Sequence, residues 1–168
     1  DHGEMLGDHG IYIKGPFMYD PAIRVPLIIS FPQAIAGGCR TNVLVELGDM
    51  APTLLEAAGL PRDPGMQTRS LWPFLVGADR AARFRGDVYC EYYNSNPNKP
   101  AQYCTMVRTD THKIVVWHGQ ELGELYDLQA DPTETRNLWD DPSRAKVKMA
   151  MMKRLCDRMA YTCDPLPE

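Results

Sequence analysis

The sequence predicts a mixed α/β fold: the closing part of an α/β domain (residues 1–84), followed by a small α+β subdomain (85–168) of antiparallel strands and a C-terminal helix. Three observations carry this reading. Residues 22–61 contain a proline-bounded apolar run, "IRVPLIISFP", and then one stretch with helix start and stop signals, the texture of a strand followed by a helix. From about Arg85 the chain changes to short runs of Val, Tyr, Ile and Trp separated by polar turns. Residues 143–161 then repeat apolar side chains every four positions. A strand–helix pair, several short strands and a last helix form a sequence of elements that suits an α/β tail joined to an α+β unit.

Each element has its own warrant. In "IRVPLIISFP" the Ile, Leu and Val residues predict a short buried strand, and "QAIAGGCRTN" after it is a loop by its Gly-Gly and small residues. "VELGDMAPTLLEAAGLP" predicts a helix capped by Asp49, with Pro52 in its first turn and Leu54, Leu55 and Ala58 on one face; Gly59 and Pro61 end it. "RDPGMQTRSLWPFLVGADRAARF" is irregular, with room for one short turn. "DVYCEYY", "YCTMVRT", "HKIVVWH" and "ELYDL" predict four strands, with Thr109-Asp110-Thr111 as the turn between the second and third. "DPTETRNLWDDPS" is a polar loop. In the last helix Val147, Met151, Leu155 and Met159 form a stripe that packs onto the sheet rather than serving as a partner groove.

Composition narrows the function classes. The chain has 168 residues, 44% of them hydrophobic and 24% charged, which suits a globular protein with a real core. A net charge of -4 and a pI near 5.6 give no electrostatic case for a nucleic-acid partner. The run "VPLIISF" is far too short to span a membrane. The five cysteines include no C-x-x-C pair, so a zinc ribbon or a dithiol redox site is not indicated; bridges such as Cys90–Cys104 or Cys156–Cys163 have no support in the spacing. The chain opens on Asp1 with neither an initiator Met nor a signal peptide. It is therefore expected to be a piece of a longer protein, with localisation and oligomeric state unreadable.

The opening "DHGEMLGDHG" holds the first candidate chemistry. A carboxylate and a neutral imidazole both ligate divalent cations, so Asp1 and His2 are candidate metal ligands, with Gly3 allowing a tight backbone beside them. They supply about half a coordination sphere at most. Lys14, in "IYIKGPFMYD", comes soon after. An ammonium beside a metal suits a tetrahedral anion such as sulfate or phosphate, and the same residue type equally suits a solvated surface. His9 suits either a general acid or a packed aromatic role.

These residues together resemble the sulfatase family. "DHGEMLGDHGIYIKGPFMYDPAIRVPLIISFP" is similar to that family's D-[HN]-G, G-[DE]-H-G, lysine and R-V-P-L-I succession. "VELGDMAPTLLEAAGLP" resembles its D-x-x-P-T-L-L helix, and "RSLWPFL" its G-x-S-L-x-P-L stretch. "VRTDTHKIVVWHGQELGELYDLQADPTETRNLWDDP" resembles its terminal hairpin and E-L-Y-D-L…D-P-x-E-x-x-N-L signature. Any one motif is weak, and five in order are specific. The resemblance implies a fold related to alkaline phosphatase, with residues 1–84 closing the catalytic domain. It implies that Asp1 and His2 are the carboxy-terminal pair of metal ligands and that Lys14 contacts the sulfate ester and neutralises its developing charge. The implied metal is Ca²⁺ first, with Mn²⁺ or Zn²⁺ as alternatives. The implied nucleophile is a formylglycine made from a C/S-x-P-S-R motif, and the implied partner is a sulfated small molecule or carbohydrate.

No C/S-x-P-S-R occurs in the chain. "DDPSR" at 140–144 carries Asp140 where Cys or Ser is required, and "CDPLP" at 163–167 lacks the Ser and Arg. The nucleophile and the family's first metal pair are expected upstream, so this piece alone is expected to have no turnover. Two other readings stand beside the sulfatase. One is a phosphonate or phosphate ester hydrolase of the same superfamily, and the other is a non-catalytic interaction module. Tyr12, the stretch Tyr93–Lys99, His112 and His118 are candidates for leaving-group contacts, and the polar loop 93–103 equally suits a solvated connection.

Overall fold

The structure, a computed structural model, describes residues 1–77, 84–94 and 102–162. The chain divides into two compact units, one of residues 1–26 with 89–160 and the other of 27–88 with 161–168. Among the described residues no helix is long and apolar enough to cross a membrane.

In the first unit, α1 (Asp20–Ile23) is a single turn with Pro21 near its start. Four strands come after it: β1 (Val88–Tyr93), β2 (Tyr103–Arg108), β3 (His112–Trp117) and β4 (Gly123–Asp127). They lie side by side in chain order, and β2–β3 and β3–β4 are antiparallel, with Met106 opposite Val115 and Ile114 opposite Leu125. The expected turn forms at Thr109–Thr111: Thr109 N–H donates to the His112 carbonyl at 2.8 Å, and its Oγ1 accepts from His112 N–H at 3.0 Å. The expected last helix is Ala145–Thr162, preceded by a 3₁₀ turn at Pro142–Arg144.

Strand alternation assigns the two sheet faces. Val107, Ile114 and Leu125 point one way and form a core with Leu138, Met151 and Leu155, against which Val147 and Met159 also pack. The predicted helix stripe therefore covers this face. Cys104, Met106, Val115 and Trp117 point the other way, and Met18, Phe17 and Ile23 cover them. A sheet buried on both faces explains why "KIVVW" shows no polar alternation.

Gly123 opens β4, where a Cβ would lie 2.4 Å from the Trp139 indole. Asn137 then runs along the strand: its Oδ1 accepts from Leu125 N–H at 3.0 Å and Trp139 N–H at 2.9 Å, and its Nδ2 donates to the Gly123 carbonyl at 3.0 Å. One amide side chain thus satisfies groups that the strand leaves open.

The second unit contains α2 (Met50–Ala57), preceded by a 3₁₀ turn at Leu47–Asp49, and α3 (Trp72–Val76). Gly59, at φ 69°, ends α2 with Leu60 N–H donating back to the Leu55 carbonyl at 2.9 Å, the left-handed stop that glycine permits.

Three expectations differ from the structure. The run 25–31 is extended but is not part of a sheet, with Ile28 90% and Leu27 47% exposed. Its apolarity was legible; a strand also needs a hydrogen-bonding neighbour, and none faces it among the described residues. The buried face of α2 is Pro52 and Thr53, while Leu54 is 70% exposed, because Thr53 Oγ1 is drawn in by Leu71 N–H at 2.8 Å. Asp49 does not cap α2 with its side chain. It is buried instead, accepting from Glu46 N–H at 2.8 Å, from Arg69 N–H at 3.0 Å and from the Arg85 guanidinium at 2.5 Å. Cys90 and Cys104 form no disulfide; Cys163 lies outside the described residues.

Candidate active site

The Asp-His-Gly stretch is pinned by its glycine. Gly3 N–H donates to the Ala22 carbonyl at 2.8 Å, and a Cβ at Gly3 would meet the Pro21 carbonyl oxygen at 1.9 Å. The loop therefore sits against the backbone of α1 at a distance only glycine allows. Asp1 and His2 project from it, with side chains 82% and 47% exposed and His2 Nε2 3.6 Å from Asp1 Oδ1. His2 Nδ1 lies 2.8 Å from the Gly3 carbonyl. A carbonyl only accepts, so this contact selects the Nδ1–H tautomer and leaves the Nε2 lone pair on the Asp1 side, the arrangement that metal-ligating histidines use. The donor set fits a divalent cation: one carboxylate and one neutral imidazole, spaced as neighbouring ligands of one ion can be. Among the described residues no three His, Cys, Asp or Glu side chains come together around a metal position.

The second Asp-His-Gly is a different structure. Residues 8–10 form a 3₁₀ turn, closed by Gly7 N–H to the Ile11 carbonyl at 2.9 Å and by Leu6 N–H to the Tyr12 carbonyl at 3.1 Å. Leu6, Gly7, His9 and Gly10 all have positive φ, and strain of this kind in non-glycine residues collects at working loops. The His9 ring stacks on Tyr19 with centroids 3.9 Å apart, which is the packed role. Lys14 comes after this turn, half-buried, and its ammonium makes no hydrogen bond or ion pair among the described residues.

The segment after Lys14 is held by the sheet. The Pro16 carbonyl accepts from the Cys104 thiol at 3.3 Å, and Phe17 meets Trp117 edge-on at 6.0 Å. Burial pushes the Cys104 thiol up to about 12, so it stays protonated as this donor. Tyr126 donates to Glu124 Oε2 at 3.1 Å and Trp117 Nε1–H to Glu124 Oε1 at 3.0 Å; burial raises the Tyr19 and Tyr126 hydroxyls above their ordinary range.

An ionic cluster that the sequence reading missed lies beneath. Lys113 is fully buried; its ammonium donates to Asp20 Oδ1 at 2.6 Å and the Met18 carbonyl at 3.0 Å, and pairs with Glu134. Glu134 Oε2 also accepts from Asp20 N–H at 2.8 Å. Burial alone would raise the Asp20 carboxyl, but Lys113, Arg108 and Arg24 outweigh it and hold it below the ordinary aspartate value. The available signal was a lysine inside the apolar run "HKIVVW" and the Glu of the D-P-x-E motif.

Of the leaving-group candidates, Tyr12 is 76% exposed and Tyr93 49%. His112 Nδ1 is 2.9 Å from Thr111 Oγ1 and His118 Nε2 2.8 Å from Thr105 Oγ1, so both already have protein partners. Residues 95–99 lie outside the described residues.

A small four-stranded sheet, covered on one face by a C-terminal helix and on the other by Phe17, Met18 and Ile23, is the architecture that the comparisons with known proteins match. Residues 7–160 match the family "N-sulphoglucosamine sulphohydrolase, C-terminal", and the chain belongs to it. It is 32% identical over 157 residues to N-acetylglucosamine-6-O-sulfatase of Bacteroides thetaiotaomicron, covering 92% of this chain and 28% of that protein. It is similar, at TM-score 0.83 and 30% identity, to a protein solved with its substrate D-glucosamine-2-N,6-O-disulfate, over 95% of this chain and 33% of the other. It is also similar, at TM-score 0.82 and 27% identity, to the phosphonate monoester hydrolase of Agrobacterium radiobacter, over 95% of this chain and 34% of the other. The chain thus spans about a third of the length of the proteins it matches.

Proposed function

We propose that the protein containing this chain is a metal-dependent sulfuric ester hydrolase acting on a sulfated carbohydrate or small molecule. The observation that carries this reading is the family match over residues 7–160, with the Asp1–His2 donor set, His2 Nε2 3.6 Å from Asp1 Oδ1, and Lys14 close together in the chain. Family membership supports the reaction class, and the relatives' sulfated amino-sugar names support the substrate class. Asp1 and His2 would hold the cation, Ca²⁺ first, together with ligands from another part of the protein; the cation supplies Lewis-acid polarisation of the ester oxygens. Lys14 binds the sulfuryl group and offsets charge as it develops there and on the leaving oxygen. The nucleophile, a formylglycine on this reading, belongs to a segment outside this chain. Residues 1–84 would close the catalytic α/β domain and 85–168 form its small companion subdomain.

A second reading, hydrolysis of phosphonate or phosphate esters, is favoured by the likeness to a phosphonate monoester hydrolase and by the imidazole ligand, which suits Mn²⁺ or Zn²⁺ as well as Ca²⁺. Turnover of an aryl sulfate against the matching aryl phosphonate by the full-length protein separates the two. The Asp1→Ala variant of that protein should lose metal and activity together; full activity in it would overturn Asp1 as a ligand, whereas a full-length protein that neither binds metal nor turns over either ester would leave the non-catalytic module as the better reading.

A further inference from the structure

Lys14, the proposed sulfate-binding lysine, has no rigid element of its own, yet catalysis by charge neutralisation requires its ammonium to be placed in advance. Between it and the cluster the chain is short and is held at two residues: Pro16, whose φ is fixed and whose carbonyl accepts from the Cys104 thiol at 3.3 Å, and Phe17, edge-on to Trp117. Beyond these lie the two residues that the buried cluster grips. Lys113 takes the Met18 carbonyl at 3.0 Å and the Asp20 carboxylate at 2.6 Å, while Glu134 takes Asp20 N–H at 2.8 Å and pairs with Lys113. Both Lys113 and Glu134 are essentially solvent-free, at 0% and 2% exposure, and Glu134 adopts a positive φ of 59°.

Such a cluster is a poor device for stability. Desolvating a lysine and a glutamate costs several kcal/mol per ion, and apolar replacements of similar volume are often neutral or better. What apolar side chains cannot do is hold one backbone carbonyl, one backbone N–H and one carboxylate of the same segment in fixed positions. Arg108 and Arg24, each 3.5 Å from Asp20, balance the second carboxylate. Glu134 comes from the D-P-x-E loop and Lys113 from the middle of the sheet, so the C-terminal subdomain is built into the placement of a loop about a hundred residues earlier.

The geometry points to Lys113, with Glu134 and Asp20, as a positioning cluster that places Lys14 for the reaction. This rests on the sulfatase reading of Lys14. The test is a double-mutant cycle in the full-length, metal-loaded protein with an aryl sulfate, with rates normalised to folded, metal-bound enzyme. Lys113→Met should lower kcat about 10- to 100-fold, the scale of a misplacement near 1 Å, with little change in KM. In a Lys14→Ala background the same change should cost almost nothing further, because the group it positions is already gone. Glu134→Gln keeps the shape, weakens the grip and should show the same non-additivity if Lys113→Met fails to fold. Equal fold-losses in both backgrounds, or full kcat in Lys113→Met, would overturn the positioning role while leaving the function intact. Full activity in Lys14→Ala would instead overturn the Lys14 assignment, and this inference with it.

Discussion

Gly3 shows how one residue can hold the proposed metal ligands, Asp1 and His2, in place. Its hydrogen is the only substituent that fits against the Pro21 carbonyl, since a Cβ would sit 1.9 Å from that oxygen. Gly3→Ala should therefore force the loop off α1, lowering stability by about 1–3 kcal/mol, as overpacking does, and displacing Asp1 and His2. Thermal unfolding and a metal titration of the full-length variant read the two effects; an unchanged midpoint and affinity would mean the close approach is not needed. Asp20 gives a pH dependence with a definite sign. Its folded pKa is depressed below 3.8, so the unfolded chain binds the proton more readily. The stabilisation is fully present above the unfolded value and is lost as pH falls through the folded one. Stability against pH should therefore fall below about pH 4, and the Asp20→Asn variant should show a flatter acid limb. Asp1, His2 and Lys14 stood out as candidates because their spacing is local. Lys113 did not, because a lysine in a strand reads as solvent-facing until its partners, 93 and 21 residues away in the chain, are brought to it.

At the scale of elements, periodicity was readable wherever a partner lay within the same stretch of chain. The β2–β3 turn and the Met151–Leu155 stripe formed as expected, because each packs on neighbours only a few elements away. In this chain the run 25–31 forms no strand and Leu54 of α2 is exposed, because apolarity records a demand for burial without saying what meets it. The N-L of the D-P-x-E-x-x-N-L motif acquires a physical role that composition does not suggest. Asn137 finishes the hydrogen bonding of β4, and Leu138 enters the core behind it. Asn137→Ala should strand Leu125 N–H and the Gly123 carbonyl, costing about 1–3 kcal/mol and speeding hydrogen exchange at Leu125. A denaturant midpoint within error of wild type would show that water replaces the amide without penalty. Gly123→Ala drives a methyl into the Trp139 ring and should cost a similar amount by strain.

For the whole molecule, the deciding fact is how the site is divided. This chain carries the two proposed metal ligands, Asp1 and His2, and the proposed anion-binding Lys14, but no C/S-x-P-S-R motif in its sequence. If Asp1 and His2 hold Ca²⁺ as proposed, they cannot complete the six or more oxygens it prefers, and no third donor joins them among the described residues. Relatives about three times longer match it over nearly all of its length, and on the proposed reading the other groups come from sequence outside it. Covalent sulfuryl transfer without a nucleophile leaves only binding and charge neutralisation, which do not break the S–O bond by themselves. Residues 1–168 produced alone should give no aryl sulfate turnover at any Ca²⁺ or Mn²⁺ concentration and bind the cation more weakly than the full-length protein does. Calorimetric metal titration of both, beside a sulfate-release assay, measures this. Turnover by the purified short chain would mean that its own side chains supply the nucleophile, and Asp1, His2 and Lys14 would need different roles.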